Sequence, residues 1–155
     1  MSEYLEIKAK PKHVEMKGAF EIACECRSSW VYNALTDYVP RYSEMIPLSV
    51  DMLEEGIRSL KEDLEGVEAR IREIEEENER IERMGTRDGK TLRASLDLIR
   101  DNMVEIREHK EDKGRIERAI RSIYTYEDLY ERNEEDWDFW IGVEGWIPGE
   151  EDKED

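Results

Sequence analysis

The side chains with chemistry to offer are few: Cys24 and Cys26, His13 and His109, a Gly89-Lys90-Thr91 triplet, and an acidic run laced with tryptophan near the end. Cys24 and Cys26 project to one face if their segment is a strand, because strand side chains alternate. A structural zinc site takes about four such ligands, and only the two histidines are available to complete one. Free cysteine more often serves as a small buried apolar side chain, and that is the reading for both. Gly89-Lys90-Thr91 has the residues that close a phosphate-binding loop, but the first glycine of that motif would fall at Met84. The motif also follows a strand, whereas the pattern here puts a helix before it, so the triplet reads as part of a helical turn. Asp136 and Asp138 could bring two carboxylates to a divalent ion, in a segment so acidic that such pairs arise by chance. There is no nucleophile–base pair and no helical metal-ligand spacing. Two histidines leave little for the commonest acid–base chemistry. The expectation is a protein that is not an enzyme and takes no cofactor or metal.

Charge is the stronger signal. The chain of 155 residues carries a net charge of -17, with 42% of its residues charged. Residues 1–48 hold six Lys/Arg and seven Asp/Glu, and 49–126 hold sixteen and twenty-one, but 127–155 hold two and thirteen. The excess is therefore concentrated at the C-terminal end, where three of the four tryptophans also fall. Phosphate binding rests on clustered Lys/Arg, so nucleic acid is not expected as a direct ligand. An acidic segment suits a basic protein surface, or simply solubility. The residues expected to meet a partner there are Glu134, Glu135, Asp136, Trp137, Asp138 and Trp140.

These groups must be positioned by the elements around them, and the middle of the chain supplies the clearest one. Val50, Leu53, Ile57, Leu60, Leu64, Val67, Ile71, Ile74, Asn78 and Ile81 repeat at alternating spacings of three and four. Leu92, Ser95, Ile99, Asn102, Ile106, His109, Lys113, Ile116, Ile120 and Ile123 repeat in the same way, and partners such as Ile81 and Leu92 add to 173. A heptad seam needs a facing seam. Two that mirror each other along one chain predict an antiparallel helical hairpin over 49–126, with its turn at 85–89. At 1.5 Å per residue, each arm would project on the order of 50 Å. Ser49 is placed to cap the first arm, with Asp51 in its first turn; Asp88 is placed to cap the second. In this register Asn78 faces Ser95, Asn102 faces Ile71, His109 faces Leu64 and Lys113 faces Leu60. An Asn–Ser pair would pin the register. His109 and Lys113 either lean outward over their stems or mark a soft spot, with Gly56, Gly66 and Gly114 nearby in the arms. Leu98 and Val104 lie off the seam and are the candidates for docking a second hairpin or another protein.

The first third alternates between apolar and polar residues. Leu5, Ile7 and Ala9, then Val14 and Met16, then Phe20, Ile22, Cys24 and Cys26 predict three short strands. A helix through 19–38 is the rival for the last of them. A short helix from Ser29 to about Tyr38 follows, with Ser29 as N-cap, and Pro40 and Pro47 bracket an irregular crossover. Phe139, Ile141 and Val143 predict a fourth strand. Residues 1–48 and 127–148 would then form one small mixed head at the hairpin base, with a disordered acidic tail at 149–155. The fold expected is α+β: antiparallel strands from both termini plus a short helix, carrying a two-helix coiled-coil hairpin.

No apolar run approaches the ~20 residues of a membrane span, and there is no secretory signal. A soluble, reducing, cytoplasmic setting is the default. The function expected is a protein-binding module: an acidic inhibitor or decoy that occupies a basic surface of a partner, such as a nucleic-acid-binding groove. Viruses use blockers of this class against host-defence nucleases, a likeness of type rather than of residues. The alternative is a homo-oligomeric coiled-coil scaffold or spacer, paired through the hairpin.

Overall fold

The computed structural model describes residues 5–13, 22–36, 45–84 and 89–143. The expected strand around Val14 and Met16, the turn with Asp88 as its cap, and the acidic tail lie outside the described residues. Seven elements follow in order: β1 (Leu5–Pro11), β2 (Ala23–Cys26), α1 (Ser29–Leu35), β3 (Ile46–Pro47), α2 (Val50–Met84), α3 (Gly89–Asn133) and β4 (Trp137–Val143). The fold is α+β: a four-stranded antiparallel sheet, a short helix, and two long helices packed as a hairpin. Two compact units divide the chain, one formed by residues 1–60 with 118–155 and the other by 61–117.

In the first unit the sheet order is β2-β1-β4-β3, so the central pair joins the start of the chain to its end. Ile7 pairs with Ile141 on one side and with Cys24 on the other, and Ile141 in turn pairs with Ile46. Directly opposed residues share a face of an antiparallel sheet. Leu5, Ile7, Ala9, Cys26, Trp137, Phe139 and Ile141 are buried, together with Val31, Leu35, Leu53, Ile57, Ala119 and Ile123 from the helices. The alternation in the sequence thus predicts the buried face of both central strands. Strand β3 is a finding the crossover reading did not contain. It is two residues long, too short for any period, and Pro47 is tolerated because an edge strand needs no donor on its outer side. Leu48 N donates to Phe139 O at 2.8 Å and extends the pairing by one bond.

The helix starts resolve differently. Ser49 caps α2 as expected: Met52 N donates to Ser49 Oγ at 3.3 Å, and Asp51 sits in the first turn. For α1 the N-cap is Ser28 rather than Ser29, with extended backbone at φ -79° and ψ 129°. Its carbonyl accepts the first helical bond from Tyr32 N at 3.0 Å, and its side chain makes no capping bond. Gly56, read from the sequence with the other glycines as a soft spot, instead marks a close approach. A Cβ built there would lie 2.7 Å from Leu35 Cδ2 and 3.3 Å from Ile123 Cδ1.

The second unit contains the distal parts of α2 and α3. Ile71 and Ile74 are buried in it, and so is one polar residue, Asn102. Asn102 Nδ2 donates to Asn78 Oδ1 at 2.9 Å. The pairings of Asn78 with Ser95 and of Asn102 with Ile71 give way to this one, whose numbers add to 180 rather than 173. Arg70 and Glu105, which meet at 3.0 Å, add to 175. The helices are therefore set in a different register from the mirror sum, since seven residues correspond to about 10 Å along a helix, farther than two asparagine side chains reach. Gly56 beside Ile123 and Glu68 beside Lys113, which add to 179 and 181, show the same shift. His109 and Lys113 both find carboxylates. His109 Nε2 lies 3.3 Å from Glu105 Oε1 and Lys113 Nζ lies 3.9 Å from Glu68 Oε2. Glu105 is held below the usual carboxylate range, first by its hydrogen bond from Arg70 and then by that from His109.

Candidate functional site

The acidic-aromatic segment begins where α3 stops. Asn133 Nδ2 donates back to Leu129 O at 2.8 Å, and Asp136 N donates to Asn133 O at 3.1 Å. That closes a turn over 134–136, which then feeds into β4. The register of the sheet does the rest. Pro11 pairs with Trp137, so Lys12 follows directly opposite the turn. Lys12 N donates to Asp136 O at 2.9 Å, and Lys12 Nζ donates to Glu134 O at 2.7 Å. The turn is held by its backbone, and the side chains of Glu134, Glu135 and Asp136 stay exposed.

Asp138 is likewise exposed, with Oδ1 3.9 Å from Lys12 Nζ. Trp137 differs from the sequence expectation. At 7% exposure it belongs to the core, because it shares strand parity with Phe139 and Ile141 and points with them. Trp140 has the opposite parity and is half-buried.

Beside the turn lies a cavity of about 330 Å³. Its aromatic walls are Tyr130, Trp137, Phe139 and Trp140, with Pro47 and Leu48 completing the apolar part. Glu134, Asp138 and Lys12 bring the charged groups. Tyr130 and Phe139 stack tilted, with ring centroids 5.0 Å apart at 49°, within the usual range for aromatic pairs. The Tyr130 hydroxyl is pushed up in pKa, first by burial and then by the charges of Glu134 and Asp138.

Four of the six C-terminal residues singled out in the sequence line this one cavity, while Glu135 and Asp136 stand on the turn outside its lining. Leu98 and Val104 belong to the other unit, exposed at 43% and 44%. Sequence reasoning missed Lys12, Pro47, Leu48, Tyr130 and Phe139 as members of the cavity. Tyr130 had a signal, since it lies one helical turn before Glu134. Lys12 had none, because only the strand register brings it to the turn.

The other chemical candidates resolve quietly. Cys26 is buried on β2 and its thiol is pushed up to about 12, chiefly by desolvation. Cys24, two residues before it, is partly exposed, and burial raises its pKa as well. Tyr126 lies against Cys26 and donates its hydroxyl to Glu25 O at 3.0 Å. Thiols in this state are protonated at neutral pH and are poor nucleophiles. Among the described residues no group of three or more His, Cys, Asp or Glu could hold a metal ion. Gly89, Lys90 and Thr91 open α3, and the element before them is helix α2 rather than a strand. No described helix is long and apolar enough to cross a membrane. Compared with known proteins, the chain matches no family model, no curated protein and no solved structure.

Proposed function

We propose that the protein is a non-enzymatic binding module whose acidic C-terminal turn covers a basic surface of a partner protein, as an inhibitor or decoy. A nucleic-acid-binding groove is the surface such a mimic fits best. The carrying observation is the fixed turn: three exposed carboxylates on a backbone held by Lys12 at two carbonyls. Charges presented on a rigid frame lose less entropy on binding than charges on a loose tail. Complementary fields also speed encounter and are screened by salt. Two free cysteines suit the reducing cytoplasm as the place of action.

A panel of nucleases assayed with and without the protein tests the reading. Inhibition of at least one, weakened by salt, is expected. Changing Glu134 and Glu135 to Gln and Asp136 and Asp138 to Asn together should abolish it. Undiminished inhibition by that variant would remove charge mimicry, and no inhibition of any member would remove the decoy.

A second reading, a homo-oligomeric scaffold, is favoured by one observation. Leu92, Leu96, Leu98, Met103 and Val104 are all exposed on one stretch of α3, and exposed apolar patches commonly mark interaction sites. Light scattering on a sizing column at two concentrations tests it. A stable multiple of 18.5 kDa that collapses when Leu98 and Val104 become Glu would support a scaffold. A monomer at both concentrations would refute it.

A further inference from the structure

Beside the acidic turn, the aromatic cavity has a composition that selects a particular guest. We infer that it is a receptor for a guanidinium, the head of an arginine side chain that the basic partner inserts next to the acidic turn. The inference rests on the reading above and adds the chemical identity of the anchoring group.

Two observations converge, an aromatic lining and carboxylates beside it. The lining is rich in aromatics: Tyr130 and Trp140 are partly exposed, and Trp137 and Phe139 are buried. Aromatic faces attract cations, and guanidinium, flat and weakly hydrated, stacks on them better than a compact ammonium. Carboxylates stand at the same cavity: Asp138 and Glu134, able to accept a fork of two N–H donors. The same two charges, after burial, push up the pKa of the Tyr130 hydroxyl in the lining.

Size agrees. About 330 Å³ is at the small end for ligand cavities, which run from roughly 300 to 1,000 Å³. It suits one side chain rather than a strand or helix. Lys12 does not fill the role itself. Its ammonium donates to the Glu134 carbonyl at 2.7 Å, whereas Asp138 Oδ1 is 3.9 Å away. A pair that long between partly exposed groups is weak, and the Asp138 carboxylate keeps acceptor capacity for a guest.

The test uses the whole protein and small probes. N-acetyl-arginine amide, N-acetyl-citrulline amide and tetramethylammonium are titrated while the indole N–H signals of Trp137 and Trp140 are followed by NMR. Saturable shifts with the arginine probe are expected, at least tenfold tighter than with citrulline, which has the same shape without the charge. Asp138→Asn, a conservative change at an exposed position, should weaken the arginine probe about tenfold. Trp140→Leu should abolish its binding, with near-UV circular dichroism confirming that the fold is retained. No saturable shift with arginine, or equal binding of citrulline, overturns the inference. Equal binding of tetramethylammonium overturns the guanidinium assignment in favour of any organic cation. Nuclease inhibition without arginine binding would leave the decoy standing and sink the cavity's role. Arginine binding without inhibition would leave the receptor standing and sink the decoy.

Discussion

The two compact units hold themselves together by different means. The unit of residues 1–60 and 118–155 buries strand and helix side chains on a shared face, with Leu5, Leu35, Leu53, Ile123 and Ile141 among those lost from water. The unit of residues 61–117 relies on a narrow seam that includes a buried asparagine and on cross-helix ion pairs such as Arg70 with Glu105. A broad core resists loss of any one contact poorly, because each side chain there has many neighbours and leaves a cavity behind. A seam costs less per residue to disturb but depends on register. Stability should therefore be most sensitive to volume in the first unit and to pairing in the second.

The largest effect expected is from Ile141→Ala. This fully buried residue sits between Ile7 and Ile46, and its truncation should cost about 3–4 kcal/mol in urea unfolding. An equal cost from Leu96→Ala, an exposed position in the other unit, would erase the contrast.

Next is alkaline sensitivity of the first unit. Burial lifts the Cys26 thiol from its ordinary 9.0 to about 12. Above pH 9 the unfolded chain loses this proton while the folded chain keeps it, so stability is full below pH 9 and falls as pH rises toward 12. The loss should be on the order of 2 kcal/mol by pH 10.5. Urea midpoints from pH 8 to 11 measure it, and Cys26→Ala should make that slope shallower, the rest coming from Cys24, Tyr126 and Tyr130, whose pKa values burial also raises. A slope unchanged in the variant would point to other titrating groups.

The asparagine pair gives the third contrast. Asn102→Ala should destabilise by about 1–2 kcal/mol, because it leaves the Asn78 amide without its partner. Replacing both with Leu should raise stability while weakening the choice of register and of oligomeric state. Thermal unfolding together with light scattering would read both effects. Destabilisation by the double change would show that the pair serves packing rather than register.

The smallest pair of effects opposes two glycines in one helix. Gly66→Ala has nothing within 4 Å to meet and should gain up to about 1 kcal/mol from helix propensity. Gly56→Ala gains the same propensity but drives a methyl against buried Leu35, an overpacking cost of about 1–3 kcal/mol. Its net sign should be destabilising by about 1 kcal/mol. Two changes of the same sign would mean that α1 gives way more easily than a packed helix should.

The same contrast explains what could be read in advance. The hairpin was legible because its two seams obey one period over many turns and mirror each other. Its register was not, because a heptad pattern repeats itself every seven residues and a pairing shifted by about one heptad satisfies the same seams. Alternation predicted β1, β4 and the buried parity of Phe139 and Ile141. It also contains the answer for Trp137, whose parity matches theirs, although its acidic neighbours point the other way. Ser28 and Ser29 offer the same capping chemistry, and only the bond from Tyr32 separates them. The cavity was half legible. Glu134, Trp137, Asp138 and Trp140 announce themselves by type, whereas Lys12 enters only through the pairing of β1 with β4.

Lys12 grips the acidic turn entirely by carbonyl oxygens, those of Glu134 and Asp136. Every residue type has that carbonyl, so the loop's shape is insulated from the identity of the side chains it displays. The displayed groups can be exchanged one at a time without rebuilding the support beneath them. A surface organised in this way separates what must be inherited from what is free to vary.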